Sequence, residues 1–281
     1  MAALGAVGAL AASCSIVTDL TSLGGGDASV SDAPSGDAPA GDAQPTDSGA
    51  SCPGYPLAFA CDDFHDGFAP FWEASVYGGG SLSPSAAAFV SPPLALLAET
   101  PNAPDSGGGP LEYGASLEYD RIGVATQHVR SSYNLYLDEL GDRSAAIGGV
   151  YLGTSPPSQT YGVVLYVNAI TNALIEDGLN DQADGASTAN SIASGFALPT
   201  QKWTRIVLDV DFAAGTASLA ATDPATPPDA ALPYLVPPTP IHATLAGPST
   251  FVYAGISYQV ASPGQINATR VYVDDVVFES L

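Results

Sequence analysis

Arg130-Ser131-Ser132-Tyr133-Asn134-Leu135-Tyr136-Leu137 ends a run that begins at Thr126, and in it polar and apolar residues largely take turns. Such alternation marks a strand with one buried and one wet face, because successive side chains leave a pleated backbone on opposite sides. Outward from this run the same pattern recurs between turn residues. Upstream it gives strands at Leu57–Phe64, broken by Asp66-Gly67, at Phe71–Tyr77 ahead of Gly78-Gly79-Gly80, at Leu94–Glu99 and at Leu111–Tyr119. Downstream it gives Ala145–Leu152, Tyr161–Ala169 with a return arm at Ala173–Glu176, Trp203–Phe212, Thr216–Ala221, Phe251–Val260 and Thr269–Glu279. Residues 177–192 are polar and suit a long loop, while 223–240 carries seven prolines and cannot form an interior strand. No amphipathic helix of ten or more residues interrupts the series. Many short strands without crossover helices predict an all-β sandwich or barrel with antiparallel pairing.

The 281 residues suffice for one large β domain or two small ones. They carry 29 acidic side chains against 6 basic ones, a formal net charge of -23, with Lys202 the one lysine. Counterion release, which drives nucleic-acid binding, needs clustered Lys and Arg, so nucleic-acid partners are excluded. Anionic lipid headgroups are equally poor electrostatic partners. Charged residues nevertheless make up only 12%, beside 30 glycines and 24 prolines, a balance suited to a secreted, turn-rich protein.

Residues 2–13 are small and apolar, too short to span a bilayer, and form the end of a secretory signal. With Leu10-Ala11-Ala12-Ser13-Cys14 the segment resembles a bacterial lipoprotein signal, although Ala11 stands where that pattern has leucine and no basic residue precedes it. The resemblance implies that 1–14 is a lipoprotein-type signal and that Cys14 is lipidated. The protein is then exported and held at the outer membrane or cell surface, with the lipid as its sole membrane contact. An ordinary secretory signal, with a secreted or periplasmic product, is the alternative. Residues 15–51 form a spacer in which Asp27, Asp32, Asp37, Asp42 and Asp47 recur every five positions among Ala, Pro, Gly and Ser. Such a composition cannot bury enough apolar surface to offset chain entropy. Mutual repulsion and proline keep it extended, and at about 3 Å per residue it reaches on the order of 100 Å. Residues 52–281 form the folded domain. Cys52 and Cys61, nine positions apart around a Pro-Gly turn, can close a disulfide in an oxidising compartment; two unpaired cysteines are the alternative.

Three segments of the domain carry a family resemblance: Phe59-Ala60-Cys61-Asp62-Asp63-Phe64 with Gly67 and Trp72, Trp203 through Asp211, and Tyr272-Val273-Asp274-Asp275-Val276-Val277-Phe278. Together they resemble the concanavalin A-like lectin/glucanase jelly rolls, the superfamily of laminin-G-like and many carbohydrate-binding modules. The resemblance implies an antiparallel two-sheet jelly-roll β-sandwich whose first and last strands are neighbours. It would bring Asp62 and Asp63 close to Asp274 and Asp275, where related modules hold a structural calcium ion. Calcium takes six to eight oxygens, and an inward carboxylate in an apolar strand needs a partner. With Tyr272, Val276 and Phe278 facing the core, alternation sends Asp274 inward as well. Solvated strand ends, or caps on loop amides, are the other reading of these four residues.

Catalytic patterns are weak. Hydrolases of this superfamily carry Glu-x-Asp-x-Glu on one strand, and this chain has no such run. Glu112 and Glu118 share a strand face but lie about 20 Å apart, too far to flank one bond. Tyr253-Ala254-Gly255-Ile256-Ser257-Tyr258-Gln259 faintly resembles an alginate-lyase stretch, without its lysine or its arginine-rich companion. Gly-x-Ser-x-Gly does not occur. The expectation is a non-catalytic binding or scaffold module, with a jelly-roll polysaccharide lyase or hydrolase and a structural envelope protein as alternatives. Candidate ligand contacts are Tyr133, Tyr136, Tyr161 and Tyr166, with His128 and Arg130, and the expected partner is a polysaccharide or other glycan. Trp203, beside an alternating strand, is expected in the core.

Overall fold

The computed structural model describes residues 52–102, 112–121, 124, 126–141, 145–153, 159–167, 174–181, 186–193, 197–226, 233–241, 249–260 and 268–281. The signal segment with Cys14 and the spacer lie outside the described residues. Every period-two run becomes a strand: β1 (Ala58–Asp62), β2 (Glu73–Tyr77), β3 (Ser81–Ser85), β4 (Ala95–Thr100) and β5 (Glu112–Arg121). Then come β6 (His128–Glu139), β7 (Ala145–Gly153), β8 (Gln159–Val167), β9 (Leu174–Asp181) and β10 (Ala186–Ala193). The series ends with β11 (Trp203–Asp211), β12 (Thr216–Thr222), β13 (Tyr234–Pro240), β14 (Ser249–Val260) and β15 (Thr269–Ser280).

These strands form two antiparallel sheets. The eight-stranded sheet runs β13-β12-β11-β6-β15-β4-β3, with β1 also paired to β15; the seven-stranded sheet runs β10-β9-β8-β7-β14-β5-β2. Their facing sides share one core. From β6 it takes Val129, Tyr133, Leu135 and Leu137, and from β11 Ile206, Leu208 and Val210. Across the sandwich stand Tyr161, Val163 and Leu165 of β8 with Val252, Ala254 and Ile256 of β14. Alternation in the sequence and alternation of burial agree, because burying one face of each sheet is what stabilises the pairing.

Two features depart from the sequence reading, and the proline-rich stretch agrees with it. The expected loop at 177–192 lies largely in strands, since β9 pairs with β8 and β10 with β9 to extend the sheet edge. A ladder templated by a neighbouring backbone leaves no apolar alternation in the sequence. In the proline-rich stretch, β13 is an edge strand bonded, among the described residues, only to β12, the place where missing N–H groups cost least. Finally, Tyr272 does not face the core. On β15 Val271 and Val273 point inward, and so do Val276 and Phe278, which have the opposite parity. The switch is a β-bulge: Asp274 pairs with Asn134 and Val277 with Ser132, so two residues of β15 oppose one of β6. Asp275 takes φ 48 there, a left-handed conformation that Asp tolerates better than most residues. The bulge also marks where β15 exchanges partners, from β4 up to Val273 to β1 from Val276 onward.

Candidate functional site

On β6 the even-numbered side chains His128, Arg130, Ser132, Asn134 and Tyr136 point away from the core, and on β11 Trp203, Arg205, Val207 and Asp209 do the same. Register then decides which of them meet. Trp203 pairs with Tyr136, Tyr136 with Tyr272 and Tyr272 with Leu97, so one row crosses four strands of the outer face. Tyr136 lies 5.5 Å from Trp203 and 5.8 Å from Tyr272, centroid to centroid, the second pair edge to face at 79°. Tyr136, Trp203 and Leu97 are half-buried and Tyr272 is buried, so the row offers a fixed apolar shelf to solvent. One end is framed by Arg270, which donates to Glu99 at 2.5 Å and to Asp138 at 3.4 Å. Burial, and then the nearby Asp138 carboxylate, push the Tyr272 hydroxyl above its ordinary range.

The next row of the same face is polar, with Asn134 paired to Arg205. Two residues along a strand separate the rows by about 7 Å. Here a pocket of about 500 Å³ opens, lined by Asn134, Arg205, Asp62, Asp63, Asp275 and the Cys52–Cys61 disulfide among others. The disulfide expected from sequence is formed, with its Cα atoms 5.9 Å apart. It closes a short loop of two turns that carries Tyr55 over the sheet, where Arg205 donates to the Tyr55 hydroxyl at 3.0 Å.

Strand pairing aligns Asp62 with Val276 and so brings the two acidic pairs to one region. Their oxygens are turned to protein donors. Asp62 accepts from the Phe64 and Ala69 amides at 2.8 and 2.9 Å and from Trp72 Nε1 at 2.8 Å, which fixes the loop between β1 and β2. Asp274 accepts from the Val90 and Ser91 amides at 2.7 and 2.8 Å and from the Asp275 amide at 2.9 Å. Asp275 accepts from Ser91 Oγ and from Asn134 Nδ2 at 2.5 and 2.7 Å. Asp63 caps the His65 amide at 3.1 Å. Among the described residues no three His, Cys, Asp or Glu side chains gather as a metal site requires. Asp62, Asp63 and Asp274 cap backbone amides and Asp275 ties Ser91 to Asn134, so the four carboxylates do not gather around one point as calcium needs. Asp274 does not point into the core as expected: it shares the outward parity of Tyr272 and is buried on the outer face, beneath residues 90–91. Burial and the adjacent Asp275 outweigh its amide hydrogen bonds and raise its pKa to about 7.

The other sequence candidates separate. Tyr136, His128 and Arg130 share the outer face, but His128 and Arg130 both bind Asp209, at 2.7 and 2.9 Å, at the far end of β6. Tyr133 and Tyr161 are each 1% exposed and belong to the core, so neither can meet a ligand. Tyr166 lies on the outer face of the other sheet, packed with Val164 and Tyr253. Trp203, expected in the core, stands on the shelf instead, because its parity matches Arg205 and opposes Ile206 and Leu208. Asn134, Arg205, Tyr55 and Tyr272 were not singled out as ligand contacts by sequence. The parity of Asn134 with Tyr136, and of Arg205 with Trp203, was the available signal. On the seven-stranded sheet Glu118 accepts from Ser116 at 3.1 Å, and burial raises its pKa. Asp120 rises to about 6 through burial and the neighbouring Glu73.

No family model matches the chain, and no curated protein matches it in sequence. Solved structures do match in fold. The endo-β-1,4-glucuronan lyase of the fungus Trichoderma reesei superposes with a TM-score of 0.55 at 13% identity, over 80% of this chain and 96% of that one. The cellulose induced protein Cip1 gives 0.51 at 15% identity, over 79% and 97%. Identities this low carry the fold alone. The described residues form an antiparallel two-sheet jelly-roll β-sandwich, the fold that the sequence resemblance implied.

Proposed function

We propose that the outer face of the eight-stranded sheet binds a glycan and that the protein is a non-catalytic binding module, exported and displayed on the cell surface through a lipid on Cys14. The observation that carries the reading is the row Leu97–Tyr272–Tyr136–Trp203. Aromatic rings held at fixed spacing along one sheet face suit the apolar faces of consecutive sugars, and rigid aromatics lose little entropy on contact. Fold neighbours that include a glucuronan lyase and a cellulose induced protein agree with a glycan partner. The non-catalytic part rests on the acids beside the shelf. Asp62 and Asp275 spend both oxygens on protein donors, which leaves Asp63 as the one pocket carboxylate with an oxygen to offer, short of the pair that glycoside hydrolysis needs. The spacer ahead of Cys52 gives such a module reach toward insoluble or neighbouring-cell material.

The test is retention on a panel of soluble and insoluble polysaccharides, followed by assay for unsaturated or reducing-sugar products. Retention on at least one glycan is expected, weakened at least tenfold by Trp203→Ala or Tyr136→Ala, about 1.4 kcal/mol. Retention on none removes the glycan reading, and sustained product release removes the non-catalytic one.

A further inference from the structure

The three rings of the shelf do not share a plane. Tyr136 is turned 54° from Trp203 and 79° from Tyr272, so a flat surface laid on one ring meets the next at an edge. Tyr272 is 8% exposed and offers solvent a narrow part of its ring. Polar groups also stand along both long sides of the row. On one side Arg270 pairs with Glu99 and Asp138, and Ser81 Oγ donates to Glu99, a ridge whose charged side chains are 28–42% exposed. On the other, the disulfide-closed loop stands over the sheet with Tyr55 on Arg205, one row from Trp203 and beside the pocket. The shelf is therefore the floor of a trough with polar walls.

We propose that this trough takes a single, uncharged polysaccharide chain laid across the strands, in preference to the flat face of a crystalline polymer or to a polyuronate. The proposal rests on the glycan reading of the shelf and names the form of glycan that it takes. A crystal face holds its sugars in one plane, so it needs coplanar rings that stand clear of their surroundings. Tilted rings between polar walls deny it both. A free chain rotates about each glycosidic bond, so successive sugars turn to meet successive rings and each gains its apolar contact. Its remaining hydroxyls both donate and accept, and so answer walls that mix guanidinium and carboxylate groups. From Leu97 to Trp203 the row spans three inter-strand steps, about 14 Å at about 4.8 Å each, which is longer than one pyranose ring. The unit recognised is thus an oligomer. Charge selects against uronates: Glu99 and Asp138 stand on one wall and Asp62, Asp63 and Asp275 on the other, beside one arginine each. The field of a chain with net charge -23 opposes a polyanion further.

Matched physical forms of one polymer test this with the full chain: microcrystalline against acid-swollen cellulose, and crystalline against swollen chitin and mannan. The matching hexasaccharides serve as soluble competitors, and polygalacturonate and alginate as the charged chains. For at least one polymer the swollen form should bind at least tenfold more tightly than the crystalline form, and its hexasaccharide should release the protein. That hexasaccharide should bind at least tenfold more tightly than its monosaccharide and than either polyuronate, and Trp203→Ala should weaken it at least tenfold. The exposed pair Glu99→Gln with Asp138→Asn should raise polygalacturonate binding at least threefold, and no rise overturns the charge selection. Crystalline polymer bound as tightly as swollen, retention that no hexasaccharide releases, or a polyuronate bound as well as the hexasaccharide overturns the proposal. If such retention still depends on Trp203, the single neutral chain fails and the shelf survives. Binding indifferent to Trp203→Ala, or retention on nothing, ends both.

Discussion

Replacing Tyr133 by Phe should make the protein more stable. The side chain is 1% exposed, deep between the sheets, and its hydroxyl has no hydrogen-bond partner among the described residues. Burial alone drives the pKa of this phenol far above its usual value. A buried hydroxyl left unpaired costs about 1–3 kcal/mol relative to its hydrated state in the unfolded chain. Removing the oxygen forfeits a few dispersion contacts of about 0.1–0.2 kcal/mol each, well under the amount recovered. The net expectation is a gain of about 1 kcal/mol, which in a domain of this size is a rise in Tm of about 2–4 °C. Scanning calorimetry, with urea titration at pH 7 to confirm an unchanged m-value, measures it. A fall of 2 °C or more would refute the accounting, because it would mean that the hydroxyl is bonded and contributes to stability.

Gly148→Ala should destabilise by about 1–3 kcal/mol, since an added Cβ would stand 2.4 Å from that hydroxyl, and the loss should shrink in a Tyr133→Phe background. Breaking the Cys52–Cys61 bridge by double substitution to Ser frees a short loop, and the chain-entropy relation gives a loss of about 2.7 kcal/mol, readable as a lower urea midpoint. Asp274 titrates near 7 when folded, against about 3.9 for an unperturbed Asp. Between those values the folded state holds the extra proton, so stability is fully present below about pH 4 and declines up to about pH 7, by up to about 4 kcal/mol. Urea midpoints at pH 5 and pH 8 should differ in that sense, and an equal or reversed order would rule it out. Because the acidic pairs meet protein donors, EDTA should leave Tm within about 1 °C of its starting value; a drop of several degrees would restore a metal to the domain.

The sheets were legible because their cause is local. Thr126–Leu137 and Trp203–Phe212 alternate, and burying one side of each strand is enough to orient it. The shelf was legible only in part. Parity alone puts Trp203 with Arg205 and away from Ile206, yet its size argued for the core. That Trp203 meets Tyr136, and Tyr136 meets Tyr272, depends on register between strands distant in sequence, which no single run encodes. Asp274-Asp275 shows a different limit. Two acids in an apolar strand announced a buried carboxylate, but the bulge that reverses parity there depends on β15 exchanging β4 for β1. The hairpin of β9 and β10 grows on the edge of β8, and its polar sequence gives no sign of that template.

The disulfide also sets how the domain bears tension. A pull transmitted along the chain ahead of Cys52 crosses the sulfur bridge and reaches the fold at Cys61, near the end of β1. Pro53 through Ala60 are shunted out of the load path, so force cannot peel β1 from β15 starting at its first residue, nor lift Tyr55 off Arg205. A module pulled by its leading segment would therefore keep its binding face assembled under strain, and chemical reduction would remove that protection.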